Sequence, residues 1–189
     1  MAEVESNLTI GMADITIDGT SVPRQADAAV FSAEPVIQEV DLYLVPAYDR
    51  IIEGWTVSTT VVVDEYSLEY YQMALGGMEE DETGFTDGKG MKSLRKEAKE
   101  VVIHPRDMGD DTSLDITIFK AVPTGAFERT FGKEVAGYEI TLTGLHKTGD
   151  PKQAGNYFRI GEPVVDDGGS GATTTTQSTG TKKTTKTEK

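Results

Sequence analysis

Two histidines, His104 and His146, are the side chains best suited to moving a proton near neutral pH, and they stand 42 residues apart. Neither lies in a metal-ligand spacing such as H-E-x-x-H, and no G-x-S-x-G elbow supplies an activated serine. His104 precedes Pro105 at the end of an apolar run and His146 stands beside Lys147, so solvated or core-edge roles outweigh catalysis. The stretch "GGMEEDETGFTDGKG", residues 76–90, offers carboxylates and glycines to a calcium ion. It lacks the alternating Asp spacing and closing Glu of an EF-hand loop, and a solvated or inter-subunit loop explains it equally. Its end, "GFTDGKG", hints at a phosphate loop, but Gly90 follows Lys89 where Ser or Thr is required. Trp55, Tyr70 and Tyr71 could stack on a base or a sugar, yet their strand and helix spacings fit a core better. Carboxylates are plentiful, but abundance in an acidic chain is no signal for acid–base work. The residues point to no catalytic, cofactor-binding or metal site, and the expectation is a protein that is not an enzyme and uses no cofactor.

Composition narrows the class further. The 189 residues include no cysteine, which removes disulfides, thiolate nucleophiles and Cys-ligated metals, and fits folding in a reducing compartment. No run of eighteen apolar residues suggests a membrane span, and "MAEVESNLTIG" does not read as a secretory leader. Of 18 basic and 32 acidic side chains, Lys182, Lys183, Lys186, Lys189 and Glu188 lie after Asp167. Residues 1–167 therefore hold 14 basic and 31 acidic groups, a net charge of −17. A body so acidic has few cations with which to release counterions from a phosphate backbone, so it is not expected to grip nucleic acid.

The elements that would position any site are mostly strands. "ADITIDGTSV" reads as a hairpin around Asp18-Gly19. Residues 28–45 are extended, with Pro35 marking an edge or a bulge. In "IIEGWTVSTTVVVD", Trp55, Val57, Thr59, Val61 and Val63 point one way, and Thr56, Ser58 and Thr60 the other. "SLEYYQMALGG" predicts one amphipathic helix, about 66–76, with Ser67 as N-cap, Gly76 as a left-handed C-cap and Leu68, Tyr71 and Leu75 on the buried face. One such helix cannot form a core by itself, so it must cover a sheet. "EAKEVVIHP" and "SLDITIFKAV" continue the β pattern, the latter with Leu114, Ile116 and Ile118 as its apolar set, and Asp110-Asp111 turn between them. "AFERTFGKEVAGYEITLTGLHK" reads as two strands joined near Gly132-Lys133, with Tyr138, Ile140 and Leu142 inward and Glu139, Thr141 and Thr143 outward. "NYFRIGEP" adds a last extended piece. The order predicts a mainly β domain over 1–167, a β-sandwich or barrel with one flanking helix. Residues 168–189 contain nine threonines and no Leu, Ile, Val or Phe, and are expected to be a disordered tail.

The order of "NLTIGMADITIDGTSV", "VVVDEYSLEYYQMALGG", "YEITLTG" and "FRIGEP" resembles the major tail proteins of long-tailed, non-contractile bacteriophages, over roughly residues 7–163. The resemblance implies a β-sandwich subunit that joins copies of itself into hexameric rings. The rings stack into a virion tail tube through which DNA passes without specific binding. It also implies a tape-measure protein and terminator or tip proteins as partners, no membrane insertion, and synthesis in the host bacterial cytoplasm. Residues Leu42, Tyr43, Leu44, Val45 and Tyr48 fall in the connection that meets the next ring in that family. Thr56, Ser58, Thr60, Glu139, Thr141 and Thr143 are candidates for the lumen wall, where a polar face would let a polyanion slide; such a face suits any solvated strand as well. A capsid decoration protein and a ligand-binding β-sandwich module are the alternatives.

Overall fold

The computed structural model describes residues 11–22, 25–65, 67–132 and 137–162. The proposed tail, 168–189, lies outside them. Asp18 and Gly19 take positive φ, 51° and 79°, and so return β1 (Ala13–Ile17) onto β2 (Thr20–Ser21) as the Asp-Gly pair predicts. A long hairpin follows, β3 (Val30–Leu42) and β4 (Val45–Val63), then α1 (Leu68–Ala74). A two-residue pair, β5 (Glu79–Glu80) and β6 (Phe85–Thr86), leads to β7 (Lys99–Pro105), β8 (Ile116–Pro123), β9 (Tyr138–Gly144) and β10 (Phe158–Ile160).

Eight strands form one antiparallel sheet in the order β2-β1-β7-β8-β9-β4-β3, with β10 added along β8. The sheet curls until its two sides meet. Ala26 N–H donates to Val62 O (2.8 Å) on β4, while the Gln25 side chain donates to Ala13 O (2.9 Å) at the start of β1. The curl lets alternate residues of distant strands share one core: Ile15 and Ile17, Val57, Val61 and Val63, Val101, Ile118, and Ile140 and Leu142. Thr59 joins them as the period-two pattern requires, and its buried hydroxyl has no hydrogen-bond partner among the described residues. The domain is mainly β with one flanking helix.

Four local expectations need correction. The helix is two turns, and it buries Tyr70, Met73 and Ala74, whereas Leu68 is 60% exposed. Ser67 does cap it, accepting from Glu69 N–H (3.2 Å), but the cap at the other end is Leu75 in extended conformation, and positive φ falls on Gly77 instead of Gly76. On β8, Ile118 enters the core, Ile116 is half-buried, and Leu114 is exposed ahead of the strand, where Asp115 is buried in its place. The register of β7 against β8 slips between Lys99 and Val101, so plain alternation fails there. Finally, only Tyr138–Gly144 of the expected strand pair is a strand; Gly125–Gly132 is irregular, held by Phe127 against Tyr71 and Tyr138 and by Arg129 over the same two rings. Lys133 lies outside the described residues.

Candidate assembly surface

The β3–β4 hairpin has two halves with different surroundings. From Val30↔Thr60 to Val36↔Gly54 it is part of the sheet, with β9 on the other side of β4 from Ser58 to Val63. Beyond a register shift between Val36 and Ile37, it continues to the turn at Tyr43-Leu44 with no further strand paired to it among the described residues. Glu53 is the extra residue at that shift, so Ile52 faces the way Trp55 faces and Ile51 faces the way Gly54 faces. Apolar side chains consequently stand on both faces of the arm: Ile37 and Ile52 on one, Gln38 with Ile51 and Leu42 with Val45 on the other. All of these apolar residues are exposed, and so is Tyr48. At the apex Tyr43 is 93% and Leu44 84% exposed.

The arm also breaks backbone rules. Leu44 and Ala47 hold positive φ, 67° and 52°, where glycine or asparagine is the ordinary choice. Asp41 Oδ1 accepts from Ala47 N–H (2.6 Å) and helps fix the bend. Strain of this kind persists where surrounding structure or function holds it. In addition, β3 is the last strand of the sheet and its 13 residues present one row of unpaired backbone groups. A lone two-stranded ribbon is marginal in water, and a long apolar edge is a template for another strand. The residues that the resemblance offers as inter-ring candidates, Leu42, Tyr43, Leu44, Val45 and Tyr48, all lie exposed on this arm. Ile37, Ile51 and Ile52 are exposed on the same arm, where the bulge interrupts their alternation.

The lumen candidates come together on one face. Ser58 pairs with Thr143, Thr60 with Thr141 and Val62 with Glu139, so β4 and β9 present their hydroxyls side by side. Thr60 and Thr141 share a hydrogen bond of 3.1 Å, and Thr143 shares one of 2.6 Å with Thr124. Thr56 lies past the end of β9 and pairs with Glu34 of β3, while Ser58 pairs with Ser32. The result is a broad hydroxyl-rich face edged by Glu34 and Glu139, on the side of the sheet opposite the core.

Both ring nitrogens of His104 are taken up by hydrogen bonds. His104 Nδ1 lies 2.6 Å from Asp115 Oδ1 and its Nε2 2.8 Å from Gly109 O. Both partners are acceptors, so the ring satisfies them together only as imidazolium; the Asp115 carboxylate, helped by the Gly109 carbonyl and against partial burial, raises its pKa above the usual value. Arg106 Nε donates to Asp14 Oδ1 (2.6 Å) next to it. This cluster ties the β7–β8 turn to β1. His146 accepts from Gly149 N–H (2.8 Å) and packs edge-on against Tyr157. Trp55 packs edge-on against Phe158, Tyr70 is buried under the helix, and Tyr71 belongs to the Phe127–Tyr138 cluster, so the three aromatic candidates serve packing. Among the described residues no group of three His, Asp or Glu side chains is arranged to hold a metal, and no helix is long and apolar enough to cross a membrane.

No family model matches the chain, and no curated protein matches it. Among solved structures, the tube-terminating cap of the anti-feeding prophage is similar at 12% sequence identity and a TM-score of 0.47, over 76% of this chain and 91% of that one.

Proposed function

We propose that this chain is a structural subunit of a phage tail tube, which assembles with copies of itself into stacked rings, hexameric as in the proteins its sequence resembles. The observation that carries the reading is the β3–β4 arm. It exposes Ile37, Ile51, Ile52, Leu42, Tyr43, Leu44 and Val45 on a projecting ribbon with an open edge. A monomer gains nothing by displaying that surface, and a neighbour of the same kind would bury it.

In such a tube the hydroxyl-rich face of β4 and β9 lines the lumen. Thr56, Ser58, Thr60, Thr141 and Thr143 offer neutral, wet contacts, and Glu139 repels phosphate, so DNA passes without a binding step. The tape-measure protein and the terminator or tip proteins meet the ring surfaces, and the protein resides in the virion tail. Electron microscopy of the purified full chain, with light scattering, tests the reading. Hollow tubes or stacked rings are expected. A strictly monomeric protein at high concentration, stabilised by a small ligand, would overturn it in favour of a binding module.

A further inference from the structure

We infer that residues 76–92 form a clasped strap that gates an apolar pocket, shut in this structure and able to swing open as a unit. The inference stands whether or not the chain assembles with copies of itself. The strap leaves the body just after α1 and rejoins it ahead of a 3-10 turn, Leu94–Glu97. Between these points it carries the β5–β6 pair, and its tip is folded on itself. Asp81 Oδ1 accepts from Thr83 N–H (2.8 Å), Thr83 Oγ1 (2.9 Å) and Gly84 N–H (2.9 Å). A loop with close ends and its own internal bonds can move without coming apart.

The neck of the strap is closed at two points. Gly88 passes so near Gly77 O that a Cβ at Gly88 would overlap it, and Gly77 itself takes φ 75°, a conformation open to glycine. Beside them Glu97 works as the clasp. Its carboxylate accepts from Gly77 N–H (3.2 Å) at the start of the strap and from Lys92 Nζ (2.5 Å) at its end, and Lys92 also donates to Met78 O (3.2 Å). One carboxylate and one ammonium therefore hold both ends of the strap to each other and to the 3-10 turn. The Lys92 hydrogen bond, against partial burial and helped by Gly77 N–H, keeps the Glu97 carboxyl below its ordinary pKa, as a carboxylate held in its charged form requires. Met91, fully exposed beside the clasp, holds φ 65°, and that strain works toward release.

Under the strap lies a pocket of ≈190 Å³ with apolar walls from Met73, Leu75, Leu94, Pro123 and Leu142, to which the strap contributes Phe85. Leu94 and Glu97 stand on the same 3-10 turn, so one element carries both a wall of the pocket and the clasp. Two apolar surfaces of this chain thus differ in kind. The β3–β4 arm is always on show, whereas this one is covered by the chain's own strap and appears only when the clasp parts.

The two clasp side chains are 35% and 38% exposed, so their ion pair is modest in strength and weakened by salt. The full chain is digested with a protease that cuts after glutamate, and cleavage at Glu79, Glu80 and Glu82, all exposed on the strap, is followed by mass spectrometry, with hydrogen exchange mapping the opening. Glu97→Gln and Lys92→Met should each speed strap cleavage about fivefold while the protection of β7 and β8 stays unchanged. The double variant should open no faster than the faster single one, because both changes remove the same clasp. High salt should speed cleavage of the wild type about twofold, corrected by an unstructured peptide of the same sequence, and leave the double variant unmoved. If substitution at either position prevents folding, the salt response of the wild-type strap decides alone. Strap cleavage indifferent to salt and to both substitutions would overturn the clasp. Loosening spread evenly over the sheet would overturn the gate, because Glu97 would then hold the fold and not the strap.

Discussion

The two halves of the β3–β4 hairpin are built from similar residues and live in opposite environments. Near the helix end, Val57, Val61 and Val63 are sealed in the core while Ser58 and Thr60 face out. Past the Glu53 bulge the same strand shows Ile51 and Ile52 to solvent on both sides. Strand propensity is high in both, so propensity does not separate them; β9 pairs with β4 in one half, and no strand among the described residues pairs with it in the other. A half that is finished within the chain stabilises the fold. A half left unfinished is, in the proposed function, the surface offered to another chain.

Substitutions can break this comparison at either end. Ile140→Ala opens a cavity against the core face of β4 and should lower subunit stability by about 2–5 kcal/mol, read as a drop in the denaturant midpoint. Ile52→Ala, a truncation of like size on the arm, should leave that midpoint within about 0.5 kcal/mol. Equal losses at both sites would erase the distinction. Leu42→Asp or Leu44→Asp should instead abolish stacking while keeping β-rich circular dichroism, since an unpaired carboxylate buried at an interface costs about 2–5 kcal/mol. Loss of the dichroism would move these residues into the subunit core.

A smaller effect sharpens the core half. Thr59→Val keeps the shape of the side chain and removes a buried hydroxyl without a partner, so it should raise stability by about 1 kcal/mol. A decrease would mean that the hydroxyl is satisfied in solution.

The turn between β7 and β8 supplies a pH test away from the hairpin. Folding raises the pKa of His104, so its contribution is complete below the ordinary value of 6.5 and disappears as pH climbs through the raised folded value. Protection of residues 106–115 against hydrogen exchange, corrected for the base-catalysed intrinsic rate, should fall over that interval in the wild type, and in His104→Gln it should not change with pH. A wild-type turn indifferent to pH across neutrality would show that the imidazolium does not hold it.

The smallest effect is expected from truncation after Asp167, whose removed segment lies outside the described residues. Its four lysines can make only screened contacts with an acidic body, each worth about 1 kcal/mol at most. Assembly close to normal is the expected result by light scattering, and a soluble, unassembled product at low salt would make this segment an assembly arm.

How much of this was legible in the sequence depended on how local the cause was. The Asp18-Gly19 turn, the Ser67 cap and the inward set Val57, Thr59, Val61 and Val63 follow from rules that span a few residues. The helix face did not, because Tyr70 and Met73 are selected by the sheet above them, and Leu68, equally apolar, points away from it. Leu114 was misplaced for a related reason. Asp115 takes the buried position because His104 neutralises it and Gly161 N–H donates to its carbonyl (2.9 Å), both long-range facts. The apex residues were singled out only through the family resemblance.

The connectivity of the hairpin also sets an order of events in time. Its two strands are joined by a two-residue turn, and a β-hairpin closes in about 1–10 μs. The partner strand that embeds its proximal half comes much later in the chain: Thr60 meets Thr141 across 81 residues. Non-local pairing of that kind is slow. During folding the sticky arm therefore exists before the body that should carry it, and encounters between half-folded chains compete with completion of the sheet. Refolding yield should fall with protein concentration even where the finished subunit is stable, and a cell that makes many copies faces the same race on every chain.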